Sequence, residues 1–136
     1  MKKITEDYVS FEIAKILKEK GFDITLCNTC YKYNGKFCNN RKSMSGVDNM
    51  ICYPAPTLQM ARKWLREKHK LFIDITAAME DYIEDGVVKY KDPYYTWEVF
   101  SLEIGETLYF GGTPNVKESY EEACESAIKY CLENLI

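Results

Sequence analysis

Between Thr57 and Leu135 the hydrophobic repeat changes from the period of a helix to that of a strand and back, and few folds accommodate that order. Thr57 can cap a helix whose inward stripe is Leu58, Ala61, Trp64 and Leu65. Lys63 and Glu67 lie one turn apart on its outside, and the helix is expected to end near His69. Leu71, Ile73 and Ile75 then alternate with Phe72, Asp74 and Thr76, the pattern of a half-buried strand. Tyr94 to Ile104 and Thr107-Leu108-Tyr109-Phe110, separated by Gly105-Glu106, predict a hairpin that Gly111-Gly112 closes. Ser119 and Glu122 have capping-box spacing, and Tyr120, Cys124, Ala127, Ile128, Cys131 and Leu135 make one apolar stripe of a final helix. The stretch from 77 to 92 reads as a long connection. In it Ala78, Met79, Tyr82 and Ile83 suit a helical turn, while Val87-Val88-Lys89-Tyr90 looks extended.

The first half of the chain is less regular. Ser10 can cap a helix from Phe11, with Ile13, Ala14 and Leu17 inward and Lys15, Lys18, Glu19 and Lys20 outward, stopped by Gly21. Ile24-Thr25-Leu26 is expected to be a short strand. Asn34-Gly35 sits between Tyr31-Lys32-Tyr33 and Lys36-Phe37-Cys38 and predicts a tight turn, because both residues tolerate positive φ. Residues 39–49 are polar and read as an exposed loop. Met50-Ile51-Cys52-Tyr53 is expected to return to the sheet before Pro54-Ala55-Pro56 breaks it.

The 136 residues suffice for one core and are too few for two, so residues 1–136 are read as a single domain. Its class is α+β, an antiparallel or mixed sheet with about three helices packed on one face. The 46% apolar and 29% charged content is that of a folded globule. A net charge of −3 provides no global field toward nucleic acid or an anionic membrane. The N-terminus turns acidic where a signal peptide would become apolar, and no run could span a bilayer, so a cytoplasmic location and no membrane partner are expected. In that compartment the six cysteines would remain thiols.

Three groupings could carry chemistry. Cys27-Asn28-Thr29-Cys30 with Cys38 and Cys52 could supply four soft ligands to zinc, although the last two are single cysteines rather than a second knuckle. Free, partly buried thiols are the simpler reading, and a Cys27–Cys30 redox pair lacks the helix N-terminus that lowers a thiol pKa. No metal and no cofactor is therefore assigned. Arg62, Lys63, Arg66 and Lys70, with His69 beside them, form a basic ridge that could neutralise phosphates, while Glu67 interrupts it. Tyr94, Tyr95, Trp97 and Phe100 could stack bases, although core packing explains them more simply. Cys124 and Cys131 are expected in the core. Glu80, Asp81, Glu84 and Asp85 are expected to face solvent, since they lack the spacing and central glycine of a calcium loop. Gly111-Gly112-Thr113-Pro114 has no Walker lysine, and His69 has no identifiable nucleophile beside it.

Helix, three strands and helix from Thr57 onward match the outline of a double-stranded-RNA-binding domain. Such domains grip phosphates with lysines at the start of the final helix, whereas here Lys117 is followed by Glu118, Glu121, Glu122 and Glu125. In Tyr8 to Lys15, Pro56 to Ala61 running into Trp64 to Glu67, and Ser119 to Glu125, the chain resembles small proteins of gut Bacteroidetes and their phages or mobile elements. That resemblance implies a compact bacterial or phage protein and carries over no activity, cofactor or catalytic residue. No nucleophilic triad is visible, and an acidic last helix opposes a basic second helix. A non-enzymatic protein-interaction or accessory protein, with a protein partner or a homo-oligomer, is thus the leading expectation. A nucleic-acid-binding module using Arg62, Lys63, Arg66 and Lys70 is the alternative, and a zinc-stabilised binding module on Cys27, Cys30, Cys38 and Cys52 is the third.

Overall fold

The computed structural model describes residues 4–46, 51–115 and 117–136. Within them the first helix, α1, spans Phe11–Glu19, with the Ser10 hydroxyl accepting from the Ile13 N–H. The second, α2, spans Leu58–His69 and is capped by Thr57 in the same way. The third, α3, spans Tyr120–Asn134 and carries the predicted capping box, Ser119 and Glu122 each bonding the other's backbone N–H.

Among the described residues eight strands form three antiparallel sheets: β1 (Cys30–Tyr31), β2 (Phe37–Cys38), β3 (Tyr53–Pro54), β4 (Leu71–Ala78), β5 (Asp81–Glu84), β6 (Val87–Tyr90), β7 (Tyr94–Ser101) and β8 (Glu106–Gly111). The α+β expectation describes this architecture. A small sheet has the order β2-β1-β3, and the main sheet has the order β4-β7-β8. Between β4 and β7 the chain makes a separate two-stranded hairpin, β5-β6.

The core lies between one face of the main sheet and the helices. Leu58, Ala61, Trp64 and Leu65 of α2 and Ala123, Cys124, Ala127, Ile128, Cys131 and Leu132 of α3 share one buried cluster with Leu71, Ile73, Trp97 and Val99 of the sheet. Ile13, Ala14 and Leu17 join it from α1, which packs on α3 and the small sheet. On α3 the stripe differs from the sequence expectation at its ends. Tyr120 is exposed and Leu135 half-buried, while Ala123 and Leu132 are fully buried, because the sheet meets the middle turns of the helix.

Three local expectations are corrected. Ile24–Leu26 is a 3-10 turn, capped by the Asp23 carboxylate accepting from the Thr25 N–H, rather than a strand. The strand after the loop is Tyr53–Pro54, so Pro54 belongs to it: among the described residues β3 pairs with β1 alone, and an edge strand tolerates a missing N–H. Met50, expected at its start, lies outside the described residues. The 77–92 stretch is no loose connection; it completes β4 and forms β5-β6.

Candidate functional site

The period-two pattern of β4 and β7 gives the main sheet two faces of different fate. Leu71, Ile73 and Ile75 pair with Ser101, Val99 and Trp97 on the helix side. On the other side Phe72 lies opposite Phe100, Asp74 opposite Glu98, Thr76 opposite Thr96 and Ala78 opposite Tyr94. In β8, Phe110 pairs with Glu98 and Thr107 with Phe100, across a register shift between Val99 and Phe100. The three helices among the described residues contact the inner face or the small sheet, so the outer face presents Phe72, Phe100 and Phe110 together with the opposed carboxylates Asp74 and Glu98. Phe110 is 70% exposed. The Thr107 hydroxyl bonds the Glu98 carboxylate, yet like charges directly across a strand pair disfavour the sheet.

The β5-β6 hairpin extends this apolar character. Asp85 and Gly86 both adopt left-handed φ, 51° and 75°, which is the two-residue turn that matches strand twist. Ile83 pairs with Val88 and Asp81 with Tyr90, so Ile83, Val88 and Tyr90 share one hairpin face. The opposite face carries Tyr82 and Val87 with the Glu84–Lys89 ion pair at 3.4 Å; Glu80 and Lys91 pair at the base at 3.5 Å. Every residue from Asp81 to Tyr90 is exposed. Ile83 at 76% is among the most exposed large apolar side chains, and beside the exposed Val88 and Tyr90 it makes a contiguous apolar patch rather than a single exposed residue. Sequence reasoning missed this hairpin, although Asp85-Gly86 flanked by Tyr82-Ile83 and Val87-Val88 is its signal. The expectation that Glu80, Asp81, Glu84 and Asp85 face solvent agrees with their exposure.

The basic ridge is dismantled at its first member. Arg62 turns inward, donating to the Ile73 carbonyl at 2.7 Å and to the Tyr120 hydroxyl at 3.2 Å, and so ties α2 to β4 and α3. Lys63 and Glu67 form an exposed pair at 3.9 Å, and Arg66 is exposed. Lys70 ends α2 in the left-handed region, its N–H donating to the Leu65 carbonyl. The structure brings Lys63, Arg66 and Lys70 to the surface but not Arg62. The aromatic platform divides likewise: Trp97 is buried and Tyr95 packs edge-on against Tyr120 at 5.7 Å, leaving Tyr94 and Phe100 on the outer face.

His69 packs against Trp64 at 4.7 Å between ring centroids, with its Nε2 buried and without a hydrogen-bond partner among the described residues. Desolvation, with Lys68 beside it, lowers its pKa below the ordinary histidine value. Among the thiols, Cys27 donates to the Thr29 carbonyl at 3.3 Å and belongs to the core, while Cys30 interacts with both Cys38 and Cys52. Among the described residues no three His, Cys, Asp or Glu side chains are gathered as a metal site. No helix is long and apolar enough to cross a membrane, again among the described residues. No protein-family model, curated protein or solved structure matches the chain.

Proposed function

We propose that this protein works by binding another protein through the outer face of β4-β7-β8 and the β5-β6 hairpin. The observation that carries this reading is the uncovered apolar surface itself. Phe72, Phe100 and Phe110 lie on a sheet face away from the helices, and Ile83, Val88 and Tyr90 line one exposed hairpin face. A folded chain keeps such a surface at the expense of solubility, and a partner that buried it would recover the hydrophobic contribution. The partner is expected to be apolar with a lysine or arginine set between Asp74 and Glu98, whose opposed charges it would neutralise. The same carboxylates would repel a phosphate backbone, which favours a protein over a nucleic acid.

The test compares the wild-type protein with an Ile83→Lys, Phe110→Lys double variant, both in size-exclusion chromatography with light scattering and in co-purification from the native source. The two side chains are exposed, so the variant should keep its Tm. A stoichiometric partner, or a second copy of the chain, recovered with the wild-type protein and lost with the variant supports the reading. Identical monomeric behaviour and identical co-purification of the two proteins would remove it.

A further inference from the structure

The small sheet β2-β1-β3 has one aromatic face and one sulfur face. Tyr31 lies opposite both Phe37 and Tyr53, and Phe11 of α1 packs edge-on against Tyr31 at 5.6 Å and Tyr53 at 5.5 Å. One residue back the side chains point the other way, and there Cys30 lies directly opposite Cys38. Cys52 precedes Tyr53 and alternates to the Cys30 side, where the two thiols interact. The Cys30 thiol also donates to the Met44 sulfur at 3.2 Å.

We propose that Cys30 and Cys38 form a dithiol that low-molecular-weight disulfides oxidise to a cross-strand disulfide. The register supplies the geometry. The Lys32 N–H donates to the Lys36 carbonyl, which makes that pair hydrogen-bonded and, two residues on, Cys30 and Cys38 as well. Such opposed Cα atoms stand about 5.5 Å apart, inside the Cα span of a disulfide, and a small approach of the two short strands brings the Cβ atoms to bonding range.

Accessibility assigns the roles. Cys38 is half-buried and Cys30 fully buried, so Cys38 meets the oxidant first. Its thiolate attacks one sulfur of the small disulfide; that S–S bond breaks, and the departing thiolate takes up the proton Cys38 has lost. Cys30 then gives up its proton to solvent and attacks the Cys38 sulfur, forming the Cys30–Cys38 bond and releasing the second small thiol. Two protein thiols are oxidised and one small disulfide is reduced to two thiols. Burial, together with the neighbouring Cys52 and Cys38, pushes Cys30 up to about 12, so the closing step is slow at neutral pH and quickens about tenfold per pH unit. Closure also removes the S–H that Cys30 donates to Met44, which follows the 3-10 turn at Arg41–Ser43.

The experiment incubates the reduced, full-length protein with glutathione disulfide and follows intact mass and a peptide map after acid quenching. Wild-type protein should lose two hydrogens, with Cys30 and Cys38 linked, at a rate that rises with pH. Cys30→Ser should stop at a single glutathione adduct on Cys38, and Cys38→Ser should show neither adduct nor bridge. Cys38→Ser alters a half-buried site and keeps the test intact if Cys30→Ser fails to fold. A Cys38 adduct in the wild-type protein that fails to close as the pH is raised, a bridge to Cys52, or no reaction at all would overturn the assignment.

Discussion

Gly111 abuts the Trp97 ring so closely that a Cβ at this position would stand 2.1 Å from the Cε2 and Cζ2 atoms. The two residues are cross-strand partners in β7 and β8, and Trp97 is 7% exposed. Missing side-chain volume in β8 is therefore what admits the indole into the core, where it also meets Tyr109 at 5.4 Å and Tyr130 at 5.9 Å. Gly111→Ala should destabilise the fold by about 1–3 kcal/mol, the range for overpacking. Urea unfolding should show a lower midpoint, and an unchanged one would mean that the ring moves freely.

Arg62 tests whether the second helix is a binding ridge or a structural tie. Arg62→Ala removes donors from the Ile73 carbonyl and the Tyr120 hydroxyl and should cost about 1–3 kcal/mol. Arg62→Lys should recover only part of this, because an ammonium lacks the planar fork that reaches both acceptors. Lys63→Ala and Arg66→Ala, at exposed positions, should stay within about 0.5 kcal/mol of wild type. Equal effects at all three sites in chemical denaturation would contradict the tie.

Lys70 occupies left-handed backbone at φ 57°, where a side chain is disfavoured and glycine is not. Lys70→Gly should therefore raise stability, by about 0.5–1 kcal/mol, while removing a member of the surface cluster. A lower Tm would show that the lysine side chain makes a compensating contribution.

His69 gives the fold a pH dependence of defined sign. Its folded pKa lies below the ordinary value of 6.5, so the folded state binds the proton more weakly than the unfolded chain. The stability this provides is complete above the unfolded pKa and is lost as pH falls through the folded one. Asp23 and Glu122 are also depressed, by hydrogen bonds from Thr25 and Ser119 respectively, and their contributions disappear in a more acidic window below about 4.5. Tm should thus fall between about pH 7 and pH 5 in the wild-type protein and fall less in His69→Phe. Parallel Tm curves would assign that slope elsewhere.

Each helix was legible because its signals lie within a few residues of one another. Ser10, Thr57 and the Ser119–Glu122 box act across one turn, and the stripes beginning at Ile13 and Leu58 need only a regular helix to share a face. The β4 alternation and the turn at Asn34-Gly35 were local in the same way, although Gly35 and not Asn34 takes the left-handed φ there. The Asp85-Gly86 turn was equally local, but the mixed periodicity around it hid a hairpin that has no buried face to impose a pattern.

Long-range placement was the part that no local pattern carried. Arg62 looks like a surface cation in any helical projection, and only the approach of β4 and α3 gives its guanidinium the Ile73 carbonyl and the Tyr120 hydroxyl. Cys27 and Cys30 share a short motif, yet the register of β1 sends Cys30 to Cys38 and Cys52 while Cys27 enters the core. The sequence by itself determined the helices, the β4 alternation and the α+β class, because short-range hydrogen bonding and hydrophobic period suffice for those. Tertiary structure decided which sheet face stays bare and which thiols meet, because strand order and register join residues far apart in the chain.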